Sequence, residues 1–265
     1  MITAETLWND ILKIREDAPL VHNITNYVVM NTTANALLAI GASPVMAHAI
    51  EEVEEMVGIA RSLVINIGTL SSTWILSMEK AAQAAKKRGI PIILDPVGAG
   101  ATKLRTDTAH KIMTDTSPAV IRGNASEIMA LYHIRSITKG VDSSHKTEEA
   151  LEASIGLAKQ YNCVVSVSGE VDIITDGEKI IKIFNGHPMM PKVTGLGCTA
   201  SALTGAFAAV NPNPLMAAAH AMALMGIAGE IAAEISEGPG SLQLHFLDIL
   251  YKMNESNIKE RLKTG

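Results

Sequence analysis

Short β-branched runs alternate with longer stretches whose apolar residues recur at helical spacing, and this alternation sets out the chain. Leu63–Ile67, Pro91–Leu94, Ala119–Ile121, Val164–Val167 and Asp172–Thr175 read as strands, with a helix around Ser72 to Arg88. Strands separated by helices predict βαβ units, and so an α/β fold whose central, mainly parallel sheet is flanked by helices on both faces. Ligands of such sheets gather at the carboxyl ends of the strands. Here those ends are polar or glycine-rich: Asn66-Ile-Gly-Thr69, Asp95-Pro-Val-Gly-Ala-Gly100, Arg122-Gly-Asn124 and Ser166-Val-Ser-Gly169.

A second pattern break is the run Pro191-Lys-Val-Thr-Gly-Leu-Gly-Cys198, which leads directly into small and apolar residues up to Phe207. Gly195 and Gly197 are free to take positive φ, and the helix they open offers unpaired N–H donors with a partial positive charge, a ready seat for phosphate. Cys198 stands at the mouth of this turn, where a helix start is expected to lower the thiol pKa and make it a candidate base. A glycine turn that merely caps a buried helix fits the same residues. Gly195-x-Gly197-x-x-Ala200 also satisfies the loose dinucleotide fingerprint. However, the acidic residue about twenty positions on is missing, and Leu215 to Met225 is an Ala/Met-rich helical pattern. The P-loop ending Gly-Lys-Ser/Thr is absent from the chain.

Asp95 ends a strand and precedes Pro96, so it either opens a turn or faces a cation. Arg122 offers a rigid fork matched to phosphate oxygens. Asn124 and Glu127 have the spacing of a capping box with Asn in the first place, and Glu127 with Asp95 supplies carboxylates of the kind Mg²⁺ selects, directly or through water. Upstream, His22-Asn-Ile-Thr-Asn26 crowds polar residues ahead of a helical pattern; His22 reads as a structural histidine. Met46 offers a soft contact to a small ring, or simply fills core.

Composition narrows the partners. With 265 residues, 48% hydrophobic and 18% charged, the chain can bury a sizeable core, and no linker or repeat divides residues 1–265, so one domain is expected. A formal charge of -5 and 3% aromatic residues argue against a nucleic-acid surface and for small-molecule partners. The stretch Ala217 to Ala233 approaches the length of a membrane span but carries His220 and Glu230, and it reads as a buried helix; no membrane association and no leader are expected. Cys163 and Cys198 cannot build a disulfide framework, which places the chain in a reducing cytoplasm.

Taken jointly, His22-Asn-Ile-Thr-Asn26, Gly41-Ala-Ser-Pro-Val-Met46, Asn66-Ile-Gly-Thr69, Leu94-Asp-Pro-Val-Gly-Ala-Gly100, Arg122-Gly-Asn-Ala-Ser-Glu127 and Val193-Thr-Gly-Leu-Gly-Cys198 resemble the hydroxyethylthiazole kinases, within the ribokinase-like fold. The resemblance spans nearly the whole chain. It implies transfer of the γ-phosphoryl of ATP, with Mg²⁺, to the hydroxyl of 4-methyl-5-(2-hydroxyethyl)thiazole in thiamine biosynthesis or salvage. It implies thiazole contacts at Asn26, Met46, Gly68 and Gly195, ATP contacts at Arg122, Ser168 and Gly197, metal at Asp95 and Glu127, and a homotrimer with sites at subunit boundaries. Ribokinase-like enzymes generally carry an aspartate base where this chain has Cys198, a departure familiar among thiazole kinases. Three other readings remain open. One is a cysteine hydrolase using Cys198 with His22 or His187; another is a non-catalytic metabolite-binding protein; the third is a related kinase for a different small alcohol such as a pyrimidine.

Overall fold

A computed structural model describes residues 2–133 and 146–265. The chain opens with α1 (Ala4–Asp17), β1 (Leu20–Ile24), α2 (Met30–Ile40), β2 (Ser43–Val45), α3 (Val53–Ile59), β3 (Ser62–Asn66), α4 (Ser72–Arg88) and β4 (Ile92–Asp95). It continues with α5 (Lys103–Thr116), β5 (Val120–Asn124), α6 (Ala125–His133), α7 (Lys146–Tyr161), β6 (Val164–Ser168), β7 (Asp172–Thr175) and β8 (Ile180–Ile183). Helices α8 (Leu196–Val210), α9 (Pro214–Glu234), α10 (Pro239–Lys252) and α11 (Glu255–Arg261) close it.

The strands form one sheet in the order β2-β1-β3-β4-β5-β6-β7-β8, parallel from β2 to β6 and antiparallel thereafter. The expected mainly parallel sheet is therefore present, with each anticipated strand in place. β5 runs on from Ile121 to Asn124, so Arg122 lies inside the sheet, in register with Ser166. Three strands escaped the sequence reading. β1 contains His22 and Asn23, polar residues that hide a strand although both are fully buried; β2 is three residues long; β8 is largely exposed.

Alternation along each strand sends side chains to two cores. Val21, Val64 and Ile93 pack with α1, α2, α8, α9 and α10, while Leu63, Ile65 and Leu94 pack with α3, α4, α5, α6 and α7. α9 is apolar and long enough to cross a membrane, but 83% of its apolar window is buried inside the protein, where it packs against β5 to β8, α8 and α10 as a core helix. α8 crosses β1 and β3 at Gly205; a Cβ there would meet Val64 Cγ2 at 2.6 Å and Val21 Cγ1 at 3.2 Å. This glycine lets the helix lie down on the sheet, with its N-terminus toward the strands' carboxyl ends.

Candidate active site

At those carboxyl ends the two sequence signals meet. Gly195 caps α8 with φ 86°, a left-handed conformation in which a side chain would be strained, and a Cβ there would approach Val29 Cγ1 to 2.7 Å. Gly197 is not left-handed as expected; it lies inside the first turn. Its need is for space, because a Cβ would stand 2.9 Å from Arg122 Nη1. The guanidinium of Arg122 is thus pressed against the bare start of α8. Arg122 is 7% exposed, and its Nε–H has no hydrogen-bond partner among the described residues. A buried, incompletely satisfied cation beside free helix N–H groups has the chemistry to grip phosphate oxygens.

Asp95, 1% exposed, stands behind this turn. Its Oδ2 accepts hydrogen bonds from Asn66 Nδ2 and Ser201 Oγ, each at 2.7 Å. Desolvation raises its pKa to about 6, with Glu127 adding to the rise and Arg122, Ser201 and Asn66 opposing it. Asp172, at the start of β7, is likewise pushed by burial to about 6, against the pull of Gly169 N–H and Arg122. Arg122 therefore lies among carboxylates that burial holds close to protonation.

Glu127 and Asn124 form the reciprocal cap anticipated: Glu127 N–H donates to Asn124 Oδ1 at 2.9 Å, and Asn124 N–H donates to Glu127 Oε2 at 2.8 Å. Glu127 Oε1 also accepts from Gly98 N–H at 2.9 Å, which ties the loop after β4 to the start of α6. Both oxygens keep further acceptor capacity. Among the described residues no group of three or more His, Cys, Asp or Glu could cage a metal. Two neighbouring carboxylates beside a phosphate seat fit a hard cation that keeps waters and phosphate oxygens as its other ligands.

On the other side of Asp95, Asn26 Nδ2 donates to Asn66 Oδ1 at 2.8 Å and to Cys198 Sγ at 3.5 Å, while Gly68 N–H donates to Asn66 Oδ1 at 2.9 Å. A Cβ on Gly68 would stand 2.6 Å from Asn26 Nδ2, so only glycine admits this packing. The structure thus joins Asn26, Gly68, Cys198, Asp95, Arg122, Gly197 and Glu127 in one cluster. Ser168 ends β6 opposite Asn124, its Oγ 3.5 Å from Gly123 O. Met46 follows β2, one strand outside His22, and no hydrogen bond ties its side chain to the cluster. His22 is fully buried, with Nε2 donating to Ala47 O at 2.7 Å and burial lowering its pKa.

Cys198 corrects the expectation of a lowered thiol pKa. Desolvation, with the Asp95 charge behind it, pushes the thiol up to about 11, outweighing the hydrogen bonds from Asn66 and Asn26 and the charge of Arg122. A helix start is positive, but burial beside a carboxylate wins. Sequence reasoning also missed Ser201 and Arg105. Ser201 is one turn beyond Gly197, a spacing that could have pointed to it. Arg105 reaches Ile67 O at 3.1 Å, Val97 O at 2.6 Å and Gly68 O at 2.9 Å, clamping the loops after β3 and β4; nothing in its helical surroundings signals this.

Residues 11–256 match the hydroxyethylthiazole kinase family. The chain belongs to that family. A hydroxyethylthiazole kinase from Syntrophus aciditrophicus is 62% identical over 99% of this chain and 97% of its own, and one from Brachyspira hyodysenteriae is 55% identical over 98% of each. The solved structure of the Pyrococcus horikoshii hydroxyethylthiazole kinase protein superposes with a TM-score of 0.92 at 47% identity, covering 98% of both chains. A ribokinase-like superfamily protein from Enterococcus faecalis, at 16% identity and a TM-score of 0.62, shares the fold. The protein is accordingly a kinase on a ribokinase-like scaffold. Among the described residues, neither His22 nor His187 hydrogen-bonds Cys198, so the pairing that a cysteine hydrolase needs is not formed.

Proposed function

We propose that the protein, acting as one domain over its whole length, transfers the γ-phosphoryl of ATP to the hydroxyl of 4-methyl-5-(2-hydroxyethyl)thiazole, a step in thiamine biosynthesis or salvage. Family membership and the full-length relatives carry the activity. The observation that carries the division of labour is the contact of Arg122 with the bare turn at Gly197, a helix start joined through Ser201, Asp95 and Asn66 to Asn26. One end of that chain suits phosphate and the other a small neutral alcohol.

Phosphoryl transfer is chiefly positioning and charge neutralisation. Arg122, the N–H groups from Gly195 to Cys198 and Ser168 hold the phosphates of ATP. Asn26, Met46, Gly68 and Gly195 seat the thiazole, with the glycines allowing close approach. Asp95 and Glu127 hold Mg²⁺, which when bound neutralises charge on the phosphates. Cys198 lines the point of transfer. With its thiol held protonated, it acts there as a weak hydrogen-bonding partner to the incoming hydroxyl rather than as a resident strong base. By likeness to the family the protein is a cytoplasmic homotrimer, with each thiazole site at a subunit boundary.

A coupled assay for ADP tests the reading. Turnover should require ATP, Mg²⁺ and the thiazole alcohol together, and light scattering should return three times the chain mass of 28.1 kDa. Equal turnover with a pyrimidine alcohol would transfer the assignment to a related kinase.

A further inference from the structure

The hydrogen bonds around Asn66 have a fixed direction. A backbone N–H can only donate, so Gly68 N–H, 2.9 Å from Asn66 Oδ1, decides which end of that amide is oxygen. Nδ2 of Asn66 is then the end that reaches Asp95 Oδ2 at 2.7 Å. Asn26 is oriented in the same way: Val28 N–H donates to its Oδ1 at 3.1 Å, which turns Nδ2 toward Asn66 Oδ1 and Cys198 Sγ. Ser201 Oγ donates to the same Oδ2 of Asp95 from the second turn of α8, with Gly197 O a longer alternative at 3.5 Å. Both donors to the Asp95 carboxylate fall on one oxygen, and Oδ1 accepts none from the described residues.

We infer that Asn66 and Ser201 are positioning residues for the phosphoryl transfer: together they hold Asp95 Oδ2 so that Oδ1 is presented to the phosphate side, and Asn66 alone also fixes the alcohol seat at Asn26 and Gly68. This inference rests on the kinase reading above and goes beyond it in assigning two residues with no direct substrate contact. Asn66 and Ser201 are 1% and 0% exposed, so their effect passes entirely through the groups they touch. Asn66 sits between both halves of the site, because its two amide ends serve different substrates. Ser201 serves only one.

The asymmetry gives the test. Ser201→Ala removes a donor to a carboxylate and should lower kcat about 3- to 10-fold while leaving the KM for the thiazole alcohol within about twofold of the parent. Asn66→Ala removes that support and the alcohol seat, and should lower kcat about 10- to 100-fold and raise the thiazole KM at least about fivefold. In the double variant the kcat losses should fall short of the product of the two, since both donors serve one oxygen. Far-UV circular dichroism and ADP-dependent thermal shifts on each variant confirm a folded, nucleotide-competent protein. A parent without turnover on the thiazole would remove the kinase reading itself. A parent that turns over, beside folded variants whose thiazole KM rises equally or not at all, would overturn the inference.

Discussion

Two buried carboxylates, Asp10 on α1 and Asp95 at the end of β4, are almost equally hidden and are treated in opposite ways. Asp10 Oδ2 accepts from His220 Nδ1 at 2.7 Å and from Asn211 Nδ2, and Lys13 Nζ lies 3.6 Å from Oδ1. Burial alone would raise its pKa, but the His220 and Asn211 hydrogen bonds, with the charges of His220 and Lys13, bring it below the usual carboxylate value. Among the described residues Asp95 has only neutral donors, and the Arg122 charge does not compensate its desolvation. The first arrangement satisfies a carboxylate and pins α1 against α9. The second leaves a carboxylate short of positive charge, which a metal–nucleotide complex would supply. A buried acid whose environment disfavours its own charge is the kind of group that the proposed phosphoryl transfer would use.

The largest effect should come from removing that charge. Asp95→Asn keeps the shape, and turnover should fall by about 10³-fold, yet stability above pH 7 without divalent cation should rise, by up to about 3 kcal/mol, because the carboxyl pushed up to about 6 is no longer charged there. Asp10→Ala should do the reverse: a loss of about 3 kcal/mol in stability, because His220 is left buried without its partner, and kcat/KM for both substrates within about twofold of the parent. Denaturant titration and steady-state kinetics on the pair read both. A stabilised Asp10 variant or an active Asp95 variant would erase the distinction between the two sites.

Next in size is Arg122→Ala. It should raise the KM for ATP at least about tenfold with little change in that for thiazole, since the role proposed for its fork is to hold phosphate. It should also stabilise the protonated forms of Asp95 and Asp172 further, as the charge that lowers both is gone.

The pH dependence of melting distinguishes the two carboxylates in a single protein. For Asp95 and Asp172, folded values near 6 exceed the unfolded 3.8, so their contribution is complete below about 3.8 and is lost as pH rises through 6. Asp10, depressed, contributes above its unfolded value and loses that contribution as pH falls. Metal-free protein should therefore melt a few °C lower at pH 7 than at pH 5, and the difference should shrink in Asp95→Asn. A flat profile would contradict the raised values.

The smallest effects belong to Cys198. Because its thiol is held near 11, Cys198→Ala should lower kcat by no more than about tenfold, and Cys198→Asp, which places an ionised acceptor beside the alcohol, should retain or raise it. A pH-rate series on both variants reads this out. An inactive aspartate variant beside a fully active alanine variant would make Cys198 packing in the turn and nothing more.

Much of this arrangement was legible in the sequence. The strand-end motifs around Asn66, Asp95, Arg122 and Glu127 could be read because chain polarity in a parallel sheet places them at one edge before any contact is known. The Asn124–Glu127 cap could be read because it is local. What could not be read depends on the fold as a whole. The thiol of Cys198 is set by desolvation and by Asp95, 103 positions away in sequence (198 − 95). The strand β1 is concealed by His22 and Asn23, which a pattern of alternating polarity would place at a surface although both are buried. The clamp by Arg105 depends on how two loops approach each other, and no spacing along the chain encodes that.

Gly205 has an evolutionary consequence. At about 1.5 Å per residue it lies roughly 15 Å along α8 from Gly195, remote from every reacting atom. Nevertheless this is where the helix comes closest to β1 and β3 without room for a side chain, with Val64 Cγ2 only 2.6 Å from where a methyl would stand. A methyl there lifts the rod at its middle and displaces its end, where Gly197, Cys198 and Ser201 are presented. A lineage that drifts at Gly205 would lose catalysis while retaining every residue that performs it, so the range of sequences open to this enzyme is bounded by the seating of one helix as firmly as by its chemistry.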